Sequence, residues 1–153
     1  MALYQNVEGV LKTMALYQNV NGVIKTISEN GLKCTTYELS NFQTPQTVSI
    51  EGIVYGKFEI VSASTNWTTG NASGVTGYYT LTAQPTASLI EPGKNIIRFT
   101  ATQTYKSASS SATSTTKYDA SFTVTVNNNS ILIPALTCNG KTLTATCQLL
   151  IYH

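Results

Sequence analysis

A strict alternation of apolar and polar residues in the C-terminal third most constrains the fold of this chain. Ala120, Phe122, Val124 and Val126 alternate with serine and threonine. Because successive side chains of a β-strand point to opposite faces, this period of two predicts a strand with one buried face. No segment places apolar residues at positions i, i+3, i+4 and i+7 over three turns, so no helix is predicted. The chain is therefore expected to be all-β.

Further strands and turns alternate at a spacing of roughly 8–12 residues, which is typical of an antiparallel β-sandwich or barrel. The predicted strands are residues 48–50, 53–55, 58–61, 78–83, 95–105, 120–126, 131–136 and 142–152. The predicted turns are Gly56-Lys57, residues 91–93 and Asn139-Gly140, of which the last joins a closing strand pair. Residues 62–77 and 106–117 are rich in small polar residues and are predicted to be exposed loops.

The N-terminus contains a tandem duplication. Residues 1–13 and 14–26 differ only at Glu8/Asn21 and at Leu11/Ile24. Both residues of Asn21-Gly22 tolerate positive φ, so this copy is predicted to be a hairpin with a two-residue turn, and the first copy is expected to share its register. The predicted pairs are Val7 with Val10, Gln5 with Lys12, Leu3 with Met14, Val20 with Val23, Gln18 with Lys25, and Leu16 with Ile27.

These hairpins are predicted to form an assembly surface. An isolated hairpin is marginal in water, so the two are expected to stack on each other, on the main domain or on another subunit. The predicted interface residues are Leu3, Tyr4, Val7, Val10, Leu16, Tyr17, Val20, Val23 and Ile27. An alternative is a duplication of the coding start, with Met14 as the ancestral initiator and residues 1–13 as an added arm. A possible strand at 32–39 and a linker at 42–45 predict two domains, residues 1–40 and 41–153.

The composition argues against several functional classes. Charged residues make up 10% of the 153 residues and the net charge is +2, whereas soluble domains usually contain roughly 25% charged residues. Nucleic-acid binding requires clustered Lys and Arg, so it is not expected. No stretch approaches about 18 consecutive apolar residues, and no signal peptide is recognised at the start. Synthesis in a cytoplasm, without export by the general route or membrane insertion, is therefore expected.

The sequence offers no convincing catalytic or metal-binding constellation. The single His is His153 at the last position, the single Asp is Asp119, and Glu51 and Glu59 are interpreted as exposed residues of a hairpin. We therefore predict no enzymatic activity, no cofactor and no metal site. The cysteines Cys34, Cys138 and Cys147 are predicted to be reduced and buried, and Cys138 is expected to lie opposite Lys141 rather than Cys147.

The aromatic residues are the remaining functional signal. Trp67, Tyr78, Tyr105 and Tyr118 border the predicted loops, which have the Ser, Thr, Asn and Gly content of many binding surfaces. These four residues are the predicted ligand contacts, for a host surface or a glycan. The alternative is that at least half of the aromatic residues fill the sandwich core or its rims.

Two segments resemble known protein families. Residues 16–27 (Leu-Tyr-Gln-Asn-Val-Asn-Gly-Val-Ile-Lys-Thr-Ile) are similar to a short module at the start of tailed-bacteriophage structural proteins, often found in tandem as Leu-Tyr-x-Asn-x-Asn-Gly-Val-x-Lys. The first copy departs from this pattern at Glu8. Residues 91–102 (Glu-Pro-Gly-Lys-Asn-Ile-Ile-Arg-Phe-Thr-Ala-Thr), with residues 120–126, resemble strands of Ig-like domains, which occur on phage capsid, tail and fibre proteins and on bacterial adhesins.

These resemblances imply a non-enzymatic virion protein that decorates a head, tail or fibre. Its Ig-like sandwich would face outward, its partners would be further copies of itself and other virion proteins, and it would be located in the virion after synthesis in the host cytoplasm. The alternative is a bacterial cell-surface adhesin or a filament subunit.

Overall fold

The computed structural model describes residues 32–153 and, before them, the backbone of four short strands. The chain divides into two compact units, Met1–Cys34 and Thr35–His153. All described strand pairs are antiparallel, which confirms the predicted all-β, β-sandwich-like fold. No described segment forms a helix long and apolar enough to cross a membrane.

The first unit contains two hairpins that share one register. Its strands are β1 (Asn6–Val7), β2 (Val10–Leu11), β3 (Tyr17–Val20) and β4 (Val23–Thr26). Val7 pairs with Val10 in the first hairpin, and Val20 pairs with Val23 in the second. These predicted pairs, together with Gln18–Lys25, are confirmed. The predicted pairs Leu3–Met14, Gln5–Lys12 and Leu16–Ile27 lie outside the described residues.

The strands of the second unit are β5 (Cys34–Phe42), β6 (Gln46–Ser49), β7 (Tyr55–Asn71), β8 (Gly74–Ala83), β9 (Thr86–Ile90), β10 (Gly93–Ser107), β11 (Thr113–Val126), β12 (Ser130–Ile133), β13 (Thr137–Cys138), β14 (Lys141–Thr142) and β15 (Thr144–Tyr152). Most of them pair in one continuous path, in the order β5-β15-β7-β8-β10-β11-β12-β6, and β9 pairs with β7. Strands β13 and β14 form a separate two-stranded sheet.

Strand β7 joins the two layers of the sandwich. Its first half pairs with β15 and β9, and its second half pairs with β8. A register shift opposite Thr146/Cys147 leaves Val61 without a partner, and such a bulge bends a strand. The first layer therefore contains β5, β15, β9 and the first half of β7. The second layer contains β8, β10, β11, β12 and β6.

The chain crosses from the second layer to the first at Gln84-Pro85. The Gln84 backbone N–H donates to the Thr100 carbonyl at 2.8 Å, and β9 then pairs with β7 instead of β10. Pro85 has no amide hydrogen to continue the pairing, which is typical of a strand that changes partner. As a result, β10 pairs with no other described strand on this side before Ala101.

The core lies between the two layers. Ile97, Phe99 and Ala101 of β10 are buried on one face, and Phe122 lies beside them on β11. The Phe58 ring from the other layer meets the Phe122 ring edge-on at a centroid distance of 5.6 Å. The alternation in β11 is thus explained by a second apolar layer that covers its inner face.

Four strands continue from this core as a sheet that we call the extension, made of residues 64–71 of β7, 74–82 of β8, 102–107 of β10 and 113–118 of β11. Leu81, at the base of this sheet, still belongs to the core. The prediction of loops at 62–77 and 106–117 is therefore wrong. Only Ala72-Ser73 and residues 108–112 connect the strands there. The exposed strand ends carry Thr, Ser and Asn on both faces, so they lack the alternation that marks a half-buried strand.

Three other sequence interpretations differ from the structure. Gly56-Lys57 is not a turn but lies within β7, where a Cβ at Gly56 would overlap the Ile151 side chain and the Leu150 carbonyl oxygen. The predicted closing pair forms only next to its turn, where β13 pairs with β14 and the Leu143 backbone N–H donates to the Leu136 carbonyl. Farther from the turn, β12 pairs with β11 and β6 while β15 pairs with β7 and β5. The two compact units meet after Cys34, whereas the predicted boundary after residue 40 lies inside β5, which pairs with β15.

Candidate functional site

An aromatic ladder crosses the inner face of the extension, which is the face that continues the sandwich core. Trp67 of β7 is directly opposite Tyr79 of β8, and Tyr79 is directly opposite Tyr105 of β10. The Trp67 and Tyr79 rings stack at a centroid distance of 5.0 Å and an angle of 3°, and the Tyr79 and Tyr105 centroids are 4.9 Å apart. Cross-strand aromatic pairs of this kind stabilise a sheet that lacks a second layer.

Gly77 makes room for the last ring of this ladder. A Cβ at position 77 would overlap the Tyr105 ring, so glycine is the residue that lets this ring lie flat on β8. The Tyr105 hydroxyl also reaches the Thr76 carbonyl at 3.5 Å. The ring therefore stabilises the last residue pairs between β8 and β10.

The hairpin formed by β13 and β14 partly covers the ladder. The Lys141 Nζ lies 4.8 Å from the Trp67 ring centroid, and the Asn139 side-chain amide donates to the Gln103 amide oxygen at 3.1 Å. The positive φ values of Asn139 (49°) and Gly140 (68°) are those of the predicted two-residue turn. Cys138 pairs with Lys141, as predicted.

The four predicted ligand residues are therefore placed in different surroundings. Trp67 and Tyr105 are half-buried within the ladder, and Tyr118 on β11 is half-buried against the core. Tyr78 lies on the opposite face of the sheet with 50% of its side chain exposed. Tyr79 borders the same predicted loop as Tyr78 but is not among the four predicted ligand residues, although hairpin pairing of the segment that carries Trp67 with the segment that carries Tyr79 identifies it.

The outer face of the extension carries mainly hydroxyl groups. Asn66, Thr80, Thr104 and Thr115 form one cross-strand row, and Thr82 and Thr102 pair in the next. Beside the first row, Asn66, Thr68, Tyr78 and Thr80 line a shallow hollow of about 350 Å³.

A larger groove of about 680 Å³ lies on the same layer, where β8 leaves β10. Its polar lining comes from Gln84, Thr86, Arg98, Thr100, Asp119 and Ser121. The Thr100 hydroxyl donates to the Asp119 carboxylate at 2.9 Å. Among the described residues, Arg98 has neither a hydrogen bond nor an ion pair, and it is the single arginine of the chain.

The titratable groups considered for catalysis lie apart. The His153 Nε2 is 2.8 Å from the Thr35 hydroxyl in the first layer, whereas Asp119 lies in the second. Glu59 lies in the first half of β7 and not on a hairpin, and it forms an ion pair with Lys57 at 2.8 Å. The described part of the chain contains no cluster of three or more His, Cys, Asp or Glu residues with metal-ligand geometry.

The three cysteines are free. Cys138 and Cys147 are buried, as predicted, whereas Cys34 is exposed at the start of the edge strand β5, so its predicted burial is wrong. Burial raises the pKa of the Cys138 thiol, and it raises the pKa of the Cys147 thiol to about 12. Both buried thiols therefore remain protonated near neutral pH, a form that is a poor nucleophile and a poor metal ligand.

The predicted assembly residues belong to the first unit. For Val7, Val10, Tyr17, Val20 and Val23 the structure gives the strand pairing of the backbone. The remaining predicted interface residues, which lie outside the described residues, are Leu3, Tyr4, Leu16 and Ile27.

Comparison of the chain with protein-family models, with curated proteins and with solved structures gives no match.

Proposed function

We propose that this chain is a non-enzymatic structural protein of a tailed-phage virion, which assembles through its N-terminal hairpins and presents its β-sandwich toward a host surface. One observation carries the proposal: the sequence duplication is also a structural duplication. Both copies form a hairpin around the same pair of valine positions, Val7–Val10 and Val20–Val23. A repeated module of this kind provides repeated points of attachment.

Short hairpins are suited to assembly because of their edges. A two-stranded sheet has unpaired backbone groups along both edges, and it is marginally stable until further strands or another surface cover it. Strand addition between copies satisfies these groups and supplies most of the affinity through the main chain. In a closed symmetric assembly, every copy makes the same contact.

The sandwich is suited to display for a different reason. Its second layer continues outward as the extension, in which stacked rings hold the strands and hydroxyl groups cover the outer face. A rigid sheet that presents many hydroxyl groups and few charges can contact a polar host surface without a large ordering cost.

Deletion of residues 1–26 tests the assembly role. We expect the truncated chain to remain monomeric in sedimentation velocity while its circular dichroism and unfolding midpoint stay those of the intact sandwich. Deletion of residues 1–13 alone is the matched control, because it leaves one complete hairpin and should weaken assembly without abolishing it. A chain that still assembles without residues 1–26 would overturn this role.

The virion location has its own test. Antibody raised against Thr35–His153 should label native phage particles at symmetric positions in electron micrographs. Purified particles that contain no copy of this chain by mass spectrometry would exclude a virion protein and favour the alternative of a bacterial surface adhesin or filament subunit.

A further inference from the structure

We infer that the outer face of the second layer is a binding track for an extended, anionic, polyhydroxylated chain. The inference rests on the host-contact part of the proposed function and names the chemistry of the ligand. The track runs along β10 from Arg98 to Lys106 and connects the groove of about 680 Å³ with the hollow of about 350 Å³.

The two cavities share one continuous face. Strands β10 and β11 pair without any register shift from Gly93/Val126 to Lys106/Thr113. Because side chains alternate along a strand, Arg98, Thr100, Thr102, Thr104 and Lys106 all lie on this face. The eight steps from Arg98 to Lys106 span about 26 Å at ~3.3 Å per residue, which accommodates several sugar rings in a row.

The side chains along the track have unused hydrogen-bonding capacity. Within the described part of the chain, Asn66, Thr80, Thr102 and Thr104 make no side-chain hydrogen bonds. Each threonine hydroxyl can both donate and accept, and the Asn66 amide can do the same. Hydroxyl groups of a polyol chain need such partners at short, regular intervals, and neighbouring strands supply them about 4.8 Å apart.

Tyr78 supplies the apolar element of the track. Half of its side chain is exposed at the hollow, beside Thr68 on one neighbouring strand and Lys106 on the other. A ring of this kind offers a flat apolar surface with a polar tip, onto which the C–H face of a sugar can pack. The Trp67–Tyr79 stack on the opposite face holds the strand that carries Tyr78.

Charge decides the class of the ligand. The track carries Arg98, Lys106 and Lys117 as cations against the single carboxylate of Asp119. In the described part of the chain, the one ion pair is Lys57–Glu59 in the other layer, so these three cations have no ionic partner. Arg98 can bind a carboxylate or a phosphate through two parallel N–H donors, while the Asp119 carboxylate can accept from adjacent hydroxyl groups. An anionic polyol chain matches both groups.

Calorimetric titration of the full-length protein tests the inference. The probes are an oligogalacturonate, which carries carboxylates, an oligomer of glycerol phosphate, which carries phosphates, and neutral maltohexaose. We expect at least one anionic probe to bind, with affinity that falls as salt is raised, and maltohexaose to bind at least about tenfold more weakly. Which of the two anionic probes binds identifies the source of the charge.

Variants locate the site. Arg98→Ala should weaken binding of the anionic probe at least about tenfold, and Arg98→Lys should restore only part of this affinity because the paired N–H donors are lost. Tyr78→Ala should weaken binding severalfold. Lys57→Ala, an exposed cation in the other layer, is the matched control and should leave the affinity unchanged.

The outcomes separate this inference from the proposed function. The inference is overturned if neither anionic probe binds, if maltohexaose binds as tightly as they do, or if Lys57→Ala reduces the affinity as much as Arg98→Ala does. A chain that labels virions and needs residues 1–26 for assembly but fails these titrations would retain its structural role and lose the track.

Discussion

The sandwich core and the extension are two regions built by the same strands but stabilised differently. In the core, β10 and β11 present Ile97, Phe99 and Phe122 to a second layer that buries them. In the extension, the same strands continue in the same register, but their inner face presents Gln103 and Tyr105, and the small β13–β14 hairpin contacts it there. Strand pairing is continuous across the boundary, whereas apolar burial is not.

This difference shows which interactions a sheet requires for independent order. Burial between two layers contributes most of the stability of a β-sandwich, because it removes large apolar areas from water. Where the second layer ends, the structure substitutes an aromatic ladder, a cation–π contact and a hydrogen bond from the hairpin turn. We therefore expect the extension to open locally at a lower free energy than the core.

Truncation of a core ring is expected to have the largest effect. Phe122→Ala removes a ring that contacts both Phe58 and Phe99 edge-on, at centroid distances of 5.6 and 5.9 Å. The free energy of unfolding should fall by about 3–5 kcal/mol, as for other large-to-small core changes. Denaturant unfolding monitored by circular dichroism measures this loss.

Two matched truncations show whether the core and the extension really differ. Tyr105→Ala in the extension should lower the free energy of unfolding by about 1–2 kcal/mol, because one face of its ring has no second layer. Leu89→Ala, at a side chain that is 78% exposed, should change it by less than about 0.5 kcal/mol. Equal losses for Phe122→Ala and Tyr105→Ala would contradict the comparison.

The pH dependence of stability tests whether water is excluded from the core around Cys147. Burial raises the pKa of Cys147 from 9.0 to about 12. The folded state therefore favours the neutral thiol. The contribution of this thiol to the free energy of unfolding is fully present below pH 9 and is lost as the pH rises from 9 toward 12. At pH 10 the thiol should account for a loss of about 1.4 kcal/mol relative to neutral pH, by proton linkage.

Comparison of variants isolates this thiol from the other groups that titrate in the same range. Cys147→Ala should have a lower free energy of unfolding at pH 7 and should lack the additional loss at pH 10. Leu149→Ala, a buried truncation without a titratable group, should retain that loss. An identical pH dependence for Cys147→Ala and the unmodified protein would mean that water reaches the core.

Sequence patterns predict the core better than the extension for a physical reason. The alternation around Phe122 exists because one face of β11 is buried between layers, so the pattern and the fold have the same cause. In residues 62–77 both faces of the sheet are partly exposed to solvent, and threonine suits either face. The sequence of these strands therefore shows no alternation of apolar and polar residues. A polar hairpin then cannot be distinguished from a polar loop.

The aromatic ladder and the groove were predictable only in part, because the register of strand pairing decides which residues become neighbours. Trp67, Tyr78 and Tyr105 could be selected as aromatic residues among small polar ones, but their separation onto two faces depends on the pairing of β7, β8 and β10. The groove at Arg98 depends on the change of partner at Pro85, which no local pattern indicates. Register over long distances is the information that a single sequence lacks.

The smallest loss expected within the extension concerns the contact between the hairpin and the ladder. Lys141→Met keeps most of the apolar stem but removes the charge that lies 4.8 Å from the Trp67 ring centroid. The free energy of unfolding should fall by about 0.5–1 kcal/mol, the usual contribution of an exposed cation–π pair. Hydrogen exchange should show faster opening of the extension while the core amides keep their protection.

A double-mutant cycle decides whether this loss belongs to the pair. In a Trp67→Leu background the ring is absent, so Lys141→Met should have no further effect, and the coupling energy should equal the loss in the single variant. If Lys141→Met costs the same in both backgrounds, the lysine acts elsewhere and the hairpin does not stabilise the ladder through its charge. The extension would then be held by its cross-strand rings and by the hydrogen bond from Asn139 to Gln103, and Tyr79→Leu should accelerate its opening much more than Lys141→Met does.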